Sequence, residues 1–337
     1  MTRGSVVISG LGLAGPLGLG RVELARRLDE GLGPVELGEI RLEDHLAAEK
    51  TYLDPNSELA LVATSLALRD AGIEPTAPSP PLGTGDTAGT LGMNFGTRLG
   101  NVTTTEAYLK MIREQGVKLA SPLLFIHAYP NTSVSLCAIE FGIKGTCYNF
   151  NSGRWCGLQG LIGASDELRR GKMSVMLAGA SDTYTEVTRP DAVGRAYRAA
   201  VTVACERVAD AAARGARPLV DVAGGGLAGT APEALSRALA EASVGQVELD
   251  WVLLDASEET SAALDLRTHT TNLVVSIGDC GAATAMLGVA LAALAIGDPG
   301  VSGRLGGIGL SETPRTAAVV SADETGAAAV ILRKLAD

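Results

Sequence analysis

Short β-branched runs, each followed by a glycine turn and then by apolar residues at helical spacing, recur from one end of this chain to the other. The opening SVVISGLGLAGPLG reads as a strand and a Gly/Pro loop, and VELARRLDEG as the helix after it. A helix is expected over 58–71, ending at Gly72, with a Pro-rich connection at 75–85. TAGTLGMNFG then reads as a strand and 103–115 as a helix with Thr105, Tyr108, Leu109 and Ile112 on one face. In the centre, TCYNFNS, GLQGLIGASDELRRG and MSVMLAGASD spell strand, helix, strand. The second half resumes the alternation through 202–226, the helix SRALAEA, strands WVLLDAS and LVVSIGD, and a long apolar helix from Gly281. It closes on AAVVSADETGAAAVILRKL, two strands joined by an acidic turn. Such alternation buries strands on both faces and predicts an α/β fold of parallel-rich sheets covered by helices.

At 337 residues the chain is long for one domain, and the echo between VVISGLG and VLLDASE suggests two βα-rich halves. Their bounds are read as 1–200 and 201–337. A net charge of −10 argues against nucleic acid as a partner, since phosphate binding rests on clustered Lys and Arg. Five cysteines without a CxxC pair suit a reducing cytoplasm, and no signal-like or membrane-length apolar run is evident.

Three chemistries can be weighed on the residues themselves. Gly10, Gly12 and Gly15 spell GxGxxG after a strand, the place of a dinucleotide fingerprint for an NAD(P)-dependent oxidoreductase. Pro16 follows immediately, and no strand ending in an acid appears about 20 residues on, so the match is incomplete. His45, His127 and His269 are scattered without zinc spacing, and neither a metal nor a cofactor is expected. Cys156, at a strand-to-helix turn, is the best nucleophile candidate for an acyl-thioester enzyme, with Ser152 just before it, yet nothing directs a histidine toward that turn.

Residues 144–182, KGTCYNFNSGRWCGLQGLIGASDELRRGKMSVMLAGASD, resemble the nucleophile region of the β-ketoacyl synthases. VVISGLGLAGPLG, SELALVATSLALRDAGI and SPLLFIHAYPNTSVSLCAIEFGIKG resemble that family's first strand, first long helix and interface segment. The resemblance implies a thiolase-like fold, two similar halves layered α-β-α-β-α. It also places the family's nucleophilic Cys on Arg154, its two histidines on Ser257 and Asp279, and its lysine on Val274. The Gly-Phe-Gly-Gly loop near the C-terminus is replaced by Ala322, Asp323, Glu324 and Thr325. Condensation needs a thiolate and imidazoles to stabilise the developing oxyanion, and a guanidinium can be neither.

The resemblance therefore implies a chain length factor without catalytic residues of its own, of the highly reducing, polyene-forming type II polyketide systems. It would pair with a catalytic ketosynthase and meet its acyl carrier protein and the growing polyketide chain. The segment 146–152 would lie in the subunit interface, and Thr105, Tyr108, Ile112, Phe125 and His127 would line the tunnel or interface. A buried Arg154 would need a partner, and Asp279 is the expected one.

Overall fold

The computed structural model describes residues 4–74, 91–301 and 305–335. The Pro-rich connection at 75–85 and the first residues of TAGTLGMNFG lie outside the described residues. In the first half, β1 (Val6–Gly15), β2 (Leu91–Gly96), β3 (Cys147–Phe150), β4 (Val175–Asp182) and β5 (Ala199–Arg207) lie in the order β3-β2-β4-β5-β1. In the second, β6 (Val220–Ala228), β7 (Trp251–Asp255), β8 (His269–Asn272), β9 (Thr316–Asp323) and β10 (Gly326–Arg333) lie in the order β8-β7-β9-β10-β6. Numbered from its own first strand, each half reads 3-2-4-5-1, and in each the first three strands of that order are parallel and the last two pairings antiparallel. A short antiparallel contact, Val7 opposite Asp221 and Ile8 opposite Val220, makes the two sheets continuous at their inner edges. Since β5 runs across residue 200, we propose the connection 208–219, rather than residue 200, as the division between the halves.

Among the described residues, α-helices flank these strands: α1 (Gly20–Glu30), α2 (Pro55–Asp70), α3 (Val102–Gln115), α4 (Pro122–Ala128), α5 (Thr132–Glu140), α6 (Cys156–Arg169), α7 (Val208–Ala213), α8 (Ala231–Ala242), α9 (Glu258–Ala263), α10 (Leu273–Ile277) and α11 (Ala283–Gly297). α6 and α11 fill the space between the sheets, where they meet Leu11, Ala178 and Val203 from one and Leu253, Val319 and Val330 from the other. α2 and α5 cover the outer face of the first sheet against Met93, Phe95 and Leu177, and α8 covers the second against Val252, Leu254 and Val320. These are the five expected layers. Strand period decides who faces whom: Trp251 and Leu253 point to the central helices while Val252 and Leu254 point to α8. α11 is apolar all round because sheet surface surrounds it, its buried residues running from Ala283 to Ile296. Among the described residues no helix is long and apolar enough to cross a membrane.

The glycines of the GxGxxG match lie inside β1, not in a loop, so no phosphate cradle forms. A Cβ on Gly10 would strike Ala67 of α2 and Ala71 at its C-terminal cap, and one on Gly12 would strike Ala63 and Ala67 of α2. β6 repeats the device against α8: Gly224 faces Ala238 and Ala242, and Gly226 faces Ala234 and Ala238. Glycine pairs opposite alanines four residues apart let helix backbone rest on strand backbone in both halves, a repeat visible at the level of single atoms.

LVVSIGD, read above as a strand, is α10. Its five residues follow Asn272, whose side chain caps the helix by accepting from Val275 N, and Gly278 stops it at φ +82°. The strand is the preceding segment, β8, parallel to β7.

Candidate functional site

The central helices begin where strands of both halves end, and there the sequence places charge inside the protein. β4 ends on Asp182, fully buried, which accepts from Thr97 Oγ1 at 2.8 Å, Arg98 N at 3.0 Å, Leu99 N at 2.8 Å and Ala282 N at 2.7 Å. It laces the loop after β2 to the start of α11.

Arg154 lies two residues before α6 and is 7% exposed. Its Nη1 sits 2.9 Å from both carboxylate oxygens of Asp279, and its Nη2 and Nε reach Asp255 Oδ1 at 2.6 and 3.2 Å. Both carboxylates are fully buried. The expected Arg154–Asp279 pair is therefore present, with Asp255 completing a triad. One guanidinium faces two carboxylates, and neighbouring donors answer the second negative charge: Ser321 Oγ on Asp255 Oδ2 at 2.8 Å, Val193 N on Asp279 Oδ2 at 2.7 Å and Gly281 N on Asp279 Oδ1 at 2.8 Å. Burial works against the charged form of Arg154, but Asp255 and Asp279 outweigh it and hold the guanidinium more firmly protonated than usual. Burial pushes the Asp255 carboxyl up, opposed by Arg154. The backbone N–H of Arg154 donates to Asp323 Oδ2 at 2.7 Å, at the tip of the β9–β10 hairpin.

Cys156 follows two residues later, fully buried as the first residue of α6. Burial, then Asp182, pushes its thiol well above the ordinary range, which disfavours the thiolate. Ser257 is exposed at the end of β7 and caps α9, accepting from Thr260 N at 3.2 Å, and Val274 is a partly buried residue of α10. Of the four positions aligned with the catalytic set, the structure joins Arg154 and Asp279. Asp255, Ser321 and Asp323 had been given no role. An acid closing the apolar run WVLLD was the available signal for Asp255, because a carboxylate at the end of a buried strand needs a cation nearby.

α3 and α4 bring together most of the second candidate set. Thr105 Oγ1 lies 2.9 Å from the carbonyl oxygens of both Asn101 and Ala128. The Tyr108 and Phe125 rings pack at 5.7 Å, and Phe125 meets Tyr129 edge-on at 5.0 Å. His127 contributes its carbonyl, which accepts from Asn101 Nδ2 at 2.8 Å, while Ile112 lies one turn beyond Tyr108, partly buried. Around them Leu109, Phe125, Ile126 and Tyr129 are exposed, and so is Tyr148 on β3, an edge strand whose one partner is β2. An apolar surface beside an open strand edge marks a place where protein associates with protein.

Of the five cysteines, Cys147 alone is exposed. Iodoacetamide at pH 8 is expected to label Cys147 on the native chain and to reach Cys156 only after unfolding. Labelling of native Cys156 would mean that the α6 turn opens to solvent.

The β-ketoacyl synthase N-terminal domain matches residues 41–217, just over half of the chain. The chain belongs to the β-ketoacyl synthase family. Among curated ketosynthase relatives, the Streptomyces halstedii protein carrying the provisional name polyketide beta-ketoacyl synthase 2 is 29% identical over 359 residues, covering 86% of this chain and 84% of the relative. The companion named beta-ketoacyl synthase 1 is also 29% identical, over 203 residues, but the match covers 53% of this chain and 46% of that one. Among solved structures, the ishigamide ketosynthase/chain length factor superposes with a TM-score of 0.84 at 18% identity, covering 99% of this chain and 100% of that one. A Burkholderia phymatum β-ketoacyl synthase gives 0.78, also at 18% identity and with the same coverages. At these identities the two structures establish the fold, the thiolase-like arrangement of the ketosynthases.

Proposed function

We propose that this chain is a chain length factor: a subunit without condensing activity of its own that pairs with an active ketosynthase in a type II polyketide system. The observation that carries the reading is Arg154. A permanently charged side chain stands at the position aligned with the nucleophile and is held from two sides by buried Asp255 and Asp279. An imidazole and a thiolate share one requirement, a group that changes protonation or attacks carbon, and this triad supplies neither. In this reading Cys156 does not replace the missing nucleophile, since burial and the nearby Asp182 carboxylate both disfavour its thiolate.

In this reading the exposed edge of β3 and the aromatic face of α3 and α4 meet the catalytic subunit. Thr105, Tyr108, Ile112, Phe125 and His127 then stand beside the growing acyl chain delivered by an acyl carrier protein. We place it with the highly reducing, polyene-forming subclass, working in the cytoplasm without a cofactor.

The test is co-expression with an active type II ketosynthase, incubation with acylated carrier protein and mass spectrometry of both chains. Acyl adducts confined to the partner are expected, together with protection of Cys147 from alkylation in the complex. An adduct on this chain would overturn the reading.

A further inference from the structure

The β9–β10 hairpin ends in a tight turn, with Asp323 opposite Gly326; Glu324 and Thr325 are exposed, but the turn is not free. It is fastened to the segment that continues the open edge strand β3. Thr325 Oγ1 accepts from Trp155 Nε1 at 3.0 Å and has two acceptors within reach of its one proton, Ser152 O at 2.6 Å and Asp323 Oδ1, while Asp323 Oδ2 takes the Arg154 N–H at 2.7 Å. The approach is so close that a Cβ on Gly153 would run into both Asp323 and Thr325, and Gly153 holds φ +135°, open to glycine and strained for other residues.

What this fastening controls follows from how little else holds the strand. β3 is four residues long, pairs on one side only with β2, and carries exposed Cys147 and Tyr148. Beyond Phe150 the ladder stops, and the segment is tied to the first half by side chains, Asn151 Nδ2 on Thr97 O at 2.7 Å and Ser152 Oγ on Gln159 Oε1 at 2.5 Å. A short, one-sided strand frays unless its ends are fixed, and a strand that must be ordered at the moment of association binds more weakly than one already in place. The hairpin tip comes from the second half of the chain, so the two halves jointly decide the geometry of the edge.

We infer that Asp323 and Thr325 are positioning residues for subunit pairing, holding residues 151–155 so that β3 is presented as a preformed edge to the partner subunit. The inference rests on the proposed heterodimer but concerns residues outside the interface itself. Both side chains hold loop backbone and the Trp155 indole rather than the Arg154 guanidinium, so removing them does not strip a buried charge of its partner.

The experiment compares wild type, Thr325→Val, Asp323→Ala and Thr325→Ser. In the free full-length chain, hydrogen exchange at residues 147–155 is expected to accelerate in the first two variants, with α8 and β10 unchanged, and to return to the wild-type rate in Thr325→Ser. In the complex with an active ketosynthase, the first two are expected to raise Kd on the order of tenfold, with Thr325→Ser restoring it. Unchanged exchange at 147–155 overturns the inference without reference to any partner, and so does faster exchange with unaltered Kd. Failure of the wild-type chain to form the complex would instead overturn the heterodimer reading, leaving the exchange data to decide whether the hairpin holds the strand.

Discussion

Arg154→Ala is expected to cost about 3–5 kcal/mol of stability, read as a lower urea midpoint at unchanged slope. The magnitude comes less from lost attraction than from what remains: Asp255 and Asp279, both fully buried, without the cation that balances them. Their remaining donors, Ser321 Oγ and the N–H groups of Val193 and Gly281, answer part of that charge but not all of it. The same argument predicts a rescue. Adding Asp255→Asn and Asp279→Asn to Arg154→Ala removes the unpaired charges and is expected to recover more than half of the loss, since a neutral buried cluster can be as stable as an ionic one. A single-variant loss under about 1 kcal/mol would show that water reaches the triad. Arg154→Cys is instructive beside these, because a thiol there lies between two carboxylates without an imidazole, and its activation as a thiolate is disfavoured.

Gly12→Val is expected to cost more than about 4 kcal/mol, or to abolish soluble expression. Valine favours strands and β1 is buried, so on propensity and hydrophobicity alone the substitution would be harmless. The loss would come entirely from contact with α2, because the new Cβ would occupy the space of Ala63 O and Ala67 N, backbone atoms that cannot rotate away. Gly226→Val, facing Ala234 and Ala238 of α8 in the same way, is expected to cost a similar amount. Equal losses would express the duplication in energy. A Gly12→Ala variant as stable as wild type would show that α2 does not press on β1.

Several of these features were legible before any coordinates. Period and turn residues placed the strands of both halves, because a strand buried on both faces leaves a run such as VMLA and a surface helix leaves a stripe. LVVSIGD failed for a local reason: β-branched residues suggested a strand, but a capping Asn272 and a stopping Gly278 enclose a segment short enough for one helical turn. The GxGxxG match failed because glycine before a helix and glycine under a helix look alike in sequence, and only the position of α2 separates them.

The functional site divides along the same line. On the proposed reading, local patterns that resemble the β-ketoacyl synthases align Arg154 with the nucleophile and Asp279 with a histidine, because both are matters of residue identity. The α/β class was legible from the alternation of strand and helix patterns, since burial periodicity is local, whereas the five-layer arrangement came from the resemblance. Only the tertiary structure decided that Arg154 is shared by two carboxylates, that Asp255 from β7 is one of them, and that Asp323 and Thr325 fasten the loop beyond β3. Those contacts join residues more than 100 positions apart in the chain, and which distant side chains meet is set by how the two halves pack around α6 and α11, not by any local propensity.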